Sequence, residues 1–162
     1  MTASTATPRR VVGMLPRSAR DLLLLVGSGV PALDAALRAR YPAALLVIAS
    51  PWKEHRPDSA TLAVRADPRH LPMPAGRFDV VLTDSMMADH PVPDDVVREV
   101  ARVLRPGGAF ALVVPDDGTA DRPRTAAVVR LLVGNGFRVP LIARERRQVP
   151  LSFLCAVAYR ER

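Results

Sequence analysis

Short apolar runs of strand length alternate with amphipathic segments from about residue 20 to the end of this 162-residue chain. That alternation is the pattern of a wound, mostly parallel sheet. The first run, Leu22 to Val26, is apolar throughout, as a strand covered on both faces must be, and it closes on Gly27-Ser28-Gly29. Pro31 to Arg40 follows with apolar residues at i, i+3 and i+4. This predicts a helix with Pro31 at the first position, where its missing N–H costs nothing.

Further strands are predicted at Ala44 to Ile48, Thr61 to Arg65 and Phe78 to Thr83. Asp94 is read as the cap of a helix reaching Leu104, whose stripe is Val96, Val97, Val100, Ala101, Val103 and Leu104. Arg105-Pro106-Gly107-Gly108 stops that helix, and Ala109 to Val114 is the fifth strand. A helix from about Arg122 to Val133 ends at Gly134-Asn135-Gly136, and Phe137 to Arg144 and Leu151 to Tyr159 are the closing strands. The order is β-α-β-β-β-α-β-α-β-β without internal repeat. One domain over residues 20–162 accounts for it, with residues 1–19 as a frayed, partly disordered arm.

Composition narrows the setting. No apolar run approaches the roughly 18 residues of a membrane helix, and the start lacks the layout of a secretory signal. The single cysteine, Cys155, has no internal disulfide partner and sits in an apolar, strand-like stretch, where a buried inert thiol is expected. Both features fit a cytoplasmic chain. The net charge of +7 comes from arginines spread along the sequence, since Lys53 is the single lysine. No aromatic residues interleave with them, so nucleic acid is not the expected partner.

Three segments carry a resemblance: Leu71-Pro-Met-Pro-Ala-Gly-Arg-Phe-Asp-Val-Val-Leu82, Val97 through Pro106-Gly107-Gly108 to Phe110, and Leu131 through Gly134-Asn135-Gly136-Phe137 to Val139. Together they resemble the class I S-adenosylmethionine (SAM) dependent methyltransferases of the small-molecule type, over about residues 20 to 160. The resemblance implies a Rossmann-like, seven-stranded α/β sheet, mostly parallel with an antiparallel terminal strand, and a minimal form without a cap domain. Ligands would then lie over the carboxyl ends of the strands.

The resemblance also implies a cofactor grip that can be checked position by position. The family's D-x-G-x-G-x-G turn corresponds to Leu25-Val26-Gly27-Ser28-Gly29-Val30-Pro31, so two glycines remain while the acid is Leu25 and the third glycine is Pro31. The carboxylate that holds the ribose hydroxyls corresponds to Ile48, or to Ala49 or Ser50 with a slipped register, and the nearest acid is Glu54. The acid beside the adenine amine is matched by Asp67. Gly27, Ser28, Gly29, Ser50 and Asp67 are therefore the cofactor-binding candidates. Each lost charge-assisted hydrogen bond costs about 1.5–3 kcal/mol. The expected cofactor state is none, or SAM bound weakly, by a factor of about 100 or more. Gly27 to Ala32 also fits G-x-G-x-x-A of dinucleotide sites, yet the acid expected about 20 residues on is again absent.

The stretch after the fourth strand, Thr83-Asp84-Ser85-Met86-Met87-Ala88-Asp89-His90, lines the substrate side of the pocket in that family. Asp84 is the candidate general base, with His90 and Asp89 assisting. The plain alternative is that Asp84 caps a turn and the other two are solvated. His55 and His70 have no partners at metal spacing, so no metal is expected. The short lead before the first strand predicts an open pocket covered by a protein partner or a second copy of the chain. Three functions follow: a repurposed elimination or cyclisation catalyst or structural subunit working with a partner chain on a small molecule, a weak-binding SAM methyltransferase, and a non-catalytic interaction module.

Overall fold

Seven strands form one sheet in the order β3-β2-β1-β4-β5-β7-β6. The computed structural model describes residues 6–25, 31–51, 61–83, 93–116, 121–145 and 152–162. In chain order the elements are α1 (Ala6–Gly13), β1 (Asp21–Leu25), α2 (Pro31–Arg40), β2 (Leu45–Ser50), β3 (Thr61–Arg65), β4 (Phe78–Thr83), α3 (Asp94–Val103), β5 (Leu104–Asp116), α4 (Asp121–Gly134), β6 (Phe137–Glu145) and β7 (Ser152–Arg160). Strands β1 to β5 run parallel, and β7 is antiparallel to both β5 and β6.

The uninterrupted apolarity of the central strands has its cause in two covered faces. Leu23, Leu25, Val81, Phe110 and Leu112 point to one side, where Val96, Val97, Val100 and Val103 of α3 and Leu132 of α4 meet them. Leu22, Leu46, Ile48, Val80 and Leu82 point to the other, against Leu33 and Leu37 of α2 and Val11 and Val12 of α1. The rings of Phe110 and Phe137 meet at 5.6 Å across the intervening strand β7. Small Ala158, the partner of Phe110, leaves them room.

Three expectations are corrected. Residues 6–19 are not a frayed arm: α1 and the turn that follows it bury Val11, Val12 and Leu15, each at most 4% exposed, under the sheet. Their apolar stripe gains a partner only once α2 and the sheet exist. Asp94 is not the cap of α3. Pro93 holds that position in extended backbone, and Asp94 is in the first turn, where its charge suits the helix dipole. Residues 104–108 are not a free turn, because Leu104 already pairs with Phe78 and the register shifts before Val80 meets Ala109. The two glycines make this possible. Gly107 has φ +80°, and a Cβ on Gly108 would lie 2.9 Å from the Arg105 carbonyl oxygen.

Candidate functional site

In an open sheet of this kind the ligand crevice lies outside the carboxyl ends of the strands, where the strand order reverses. Here that point falls between β1 and β4, whose final residues Leu25 and Thr83 are register partners. The crevice is therefore bordered by Leu25, by Ser50 at the end of β2, and by Ala66 and Asp67 beyond β3.

Ile48, aligned with the ribose carboxylate, lies inside β2, 1% exposed in the layer facing α1 and α2. The residue at the strand end is Ser50, itself 7% exposed. Its carbonyl accepts the Ala66 N–H at 3.0 Å, which carries β3 onward to Asp67. The structure thus brings Ser50 and Asp67 to one rim. Asp67 is exposed, its Oδ1 accepts the Arg69 N–H at 2.9 Å, and its carbonyl accepts the His70 N–H at 2.9 Å. This local turn already occupies one carboxylate oxygen. Gly27, Ser28, Gly29, Asp84, Asp89 and His90 lie outside the described residues, as do Glu54, Met86 and Met87. Cys155 is in β7, in register between Val113 of β5 and Ala143 of β6.

One site residue was missed in the sequence. Thr83 is 0% exposed, and its Oγ1 has no hydrogen-bond partner among the described residues. A buried hydroxyl without a partner is destabilising, so its place at the switch point asks for an explanation. The legible signal is a threonine ending an otherwise apolar strand and followed by Asp84. Among the described residues no group of three or more His, Cys, Asp or Glu side chains is placed to hold a metal.

The Phe78-Asp79 signature has its structural meaning at the opposite end of the sheet. Asp79 Oδ2 accepts the N–H groups of Arg20 and Asp21 at 2.8 and 3.1 Å, and its Oδ1 takes Arg105 Nη1. Burial alone would raise the Asp79 pKa. The two N–H groups and the Arg105 guanidinium outweigh it and hold the carboxyl below its ordinary value. Likewise Glu99 is held low, first by its hydrogen bonds from Arg102, against the opposing effect of burial, and also by the Leu71 N–H. Arg102 reaches the Leu71 carbonyl at 3.0 Å, so the Leu71-Pro72 approach to β4 is tied to α3.

Of the positions that the family resemblance assigns to carboxylates, β1 ends in a buried Leu25, and β2 carries a buried Ile48 and ends in Ser50. No helix among the described residues is long and apolar enough to cross a membrane.

The sheet order, the antiparallel β7 and the crevice between β1 and β4 define a Rossmann-like methyltransferase fold. Residues 26–112 match the family described as "Methyltransferase domain". The chain belongs to the class I SAM-dependent methyltransferases of the small-molecule type. It is 37% identical over 122 residues to the 27-O-demethylrifamycin SV methyltransferase of Amycolatopsis mediterranei, which covers 68% of this chain and 44% of that protein. The chain spans less than half the length of the curated relatives it matches. Among solved structures, the Burkholderia thailandensis 1,6-didemethyltoxoflavin-N1-methyltransferase with bound S-adenosylhomocysteine superposes with a TM-score of 0.79 at 18% identity, over 98% of this chain and 80% of that one. The [4+2]-cyclase SpnF superposes with a TM-score of 0.75 at 13% identity, over 97% of this chain and 80% of that one. These two likenesses concern the fold.

Proposed function

We propose that this chain is a methyltransferase-fold protein of small-molecule metabolism that has lost ordinary SAM-dependent methyl transfer and acts in the cytoplasm with a partner chain. The observation that carries this reading is Ser50 at the carboxyl end of β2, with buried Leu25 ending β1 beside it. A ribose diol set against these residues loses two charge-assisted acceptors, each bond worth about 1.5–3 kcal/mol. Whatever SAM binding persists through Gly27, Ser28, Gly29 and Asp67 is then weak.

On this reading the chemistry belongs to acid/base catalysis, an elimination or cyclisation with Asp84 as base and His90 and Asp89 assisting, or else the chain is a structural subunit. The fold is compatible with such a change of use, since SpnF, a [4+2]-cyclase, shares it. A partner is favoured by edge strand β3, where Leu62 is 55% exposed and Ala63 is exposed as well. An apolar edge of this kind is one that another chain covers. The second reading, a weak-binding but active SAM methyltransferase, is favoured by the 37% identity to the rifamycin enzyme.

The test is incubation of the purified chain with methyl-labelled SAM and a small-molecule extract of its host, with and without proteins that co-purify with it. The proposal expects no labelled product from the chain alone. A labelled small molecule formed by the chain alone, and lost with Asp84→Asn, would establish the second reading.

A further inference from the structure

We propose that the amino-end face of the sheet, opposite the crevice, is a docking surface for an acidic protein segment. Four adjacent strands, β1, β4, β5 and β7, bring six arginines to this one edge. Arg17 and Arg20 precede β1, Arg77 precedes β4, and Arg105 opens β5. Because β7 runs antiparallel, its end delivers Arg160 and Arg162 to the same edge, and Arg160 donates to the Leu104 carbonyl. At about 4.8 Å between neighbouring strands the row spans roughly 15 Å, a footprint suited to one helix or extended segment.

The acids of this edge are Asp21, Asp79 and Glu161, and the first two are turned inward. Asp21 and Asp79 side chains are 14% and 25% exposed, whereas Arg77 and Arg105, which pair with them, are 37% and 40% exposed. The carboxylates therefore fix the guanidiniums in place and leave their outer edges to solvent. Arg17, Arg20 and Arg162 are exposed and carry no ion pair among the described residues. The α3 surface differs, because Arg98 and Arg102 there are matched by Asp94 and Glu99. Fixed, outward guanidiniums suit carboxylates in paired hydrogen bonds. Bases of single-stranded nucleic acid need stacking platforms, and of the rings near this edge Phe78 and Phe137 are each 1% exposed, Tyr41 is buried and Tyr159 alone is half-buried.

The surface is independent of the crevice, so its failure leaves the functional reading above untouched. The experiment is fluorescence anisotropy of labelled poly-L-glutamate titrated with the full chain at low ionic strength. The variant combines Arg17→Glu, Arg20→Glu and Arg162→Glu, none of whose side chains pairs with Asp21 or Asp79; Arg20 meets Asp79 only through its backbone N–H, which the substitution keeps. A control variant with Arg10→Glu, Arg65→Glu and Arg130→Glu has the same net charge. The expected result is a loss of about tenfold or more for the first variant against about twofold or less for the control, with both retaining the parental circular dichroism. Equal losses in both, or no binding by the parent chain, would overturn the proposal. So would tighter binding of labelled single-stranded or duplex DNA than of polyglutamate, which would assign the face to nucleic acid.

Discussion

Arg105 of β5 and Asp79 of β4 meet through Nη1 and Oδ1 at 2.6 Å, at the end of the sheet away from the crevice. Asp79 also holds the N–H groups that begin β1, so this single carboxylate joins three strands. The Phe-Asp pair that opens β4 thus marks a fold clamp and not a catalytic group. Asp79→Asn retains the shape while removing the charge, and is expected to cost about 2 kcal/mol. For a chain of this size that lowers the melting temperature by roughly 4–8 °C. Thermal denaturation followed by circular dichroism reads it directly, and an unchanged midpoint would show the clamp to be dispensable.

Asp79 and Glu99 are both held below their ordinary values in the folded chain. In the unfolded chain they bind protons at higher pH than in the folded one. Their contribution to stability is therefore complete above the ordinary carboxylate range and is lost as pH falls through the lowered values. Urea midpoints are expected to hold steady from pH 7 to about 5 and to fall below that, with a shallower fall for Asp79→Asn.

Gly107 and Gly108 do different work in the turn that enters β5. Gly108→Ala places its Cβ against the Arg105 carbonyl and within 3.1 Å of the Asp79 carbonyl, neither of which can move cheaply. A cost of about 1–3 kcal/mol is expected. Gly107→Ala meets no atom within 4 Å but must hold φ near +80°, at about 1–2 kcal/mol. Urea titration of the two single variants separates these causes, because Gly107→Asn should recover part of the second and Gly108→Asn should be the worse of its pair.

The strand ends allow a gain as well as a loss. Ser50→Asp restores a carboxylate at the end of β2 and is expected to tighten S-adenosylhomocysteine binding about tenfold, whereas Ile48→Asp puts a charge into the α1–α2 layer and unfolds the chain. Thr83→Val removes the unpartnered hydroxyl at constant shape and is expected to raise stability by about 1 kcal/mol. Calorimetric titration and melting curves on the three variants check these outcomes together.

Much of the fold was legible because its signals are local. Pro31 to Arg40, Thr61 to Arg65 and Phe78 to Thr83 have the expected bounds, since apolar period and the flanking proline or polar residues act within each segment. What escaped depends on distance. The α1 helix looks like a frayed Thr-, Ala- and Arg-bearing lead until the sheet gives Val11, Val12 and Leu15 a surface to bury against. Asp79 reads as a family signature, but its role comes from backbone groups 58 and 59 residues earlier. Of the site, Ser50 and Asp67 come to one rim, while Ile48, aligned with the ribose carboxylate, is buried within β2. A strand's last residue is set by the neighbour it pairs with, here Arg65 against Ser50, whose carbonyl also accepts the Ala66 N–H.

Loss of the crevice's grip on SAM, as proposed, is read from calorimetric titration of the purified chain with SAM and S-adenosylhomocysteine. The expected result is no binding, or dissociation constants weakened about 100-fold or more relative to an ordinary site. Micromolar binding of either ligand would contradict it, and would return ordinary methyl transfer as the activity of this chain.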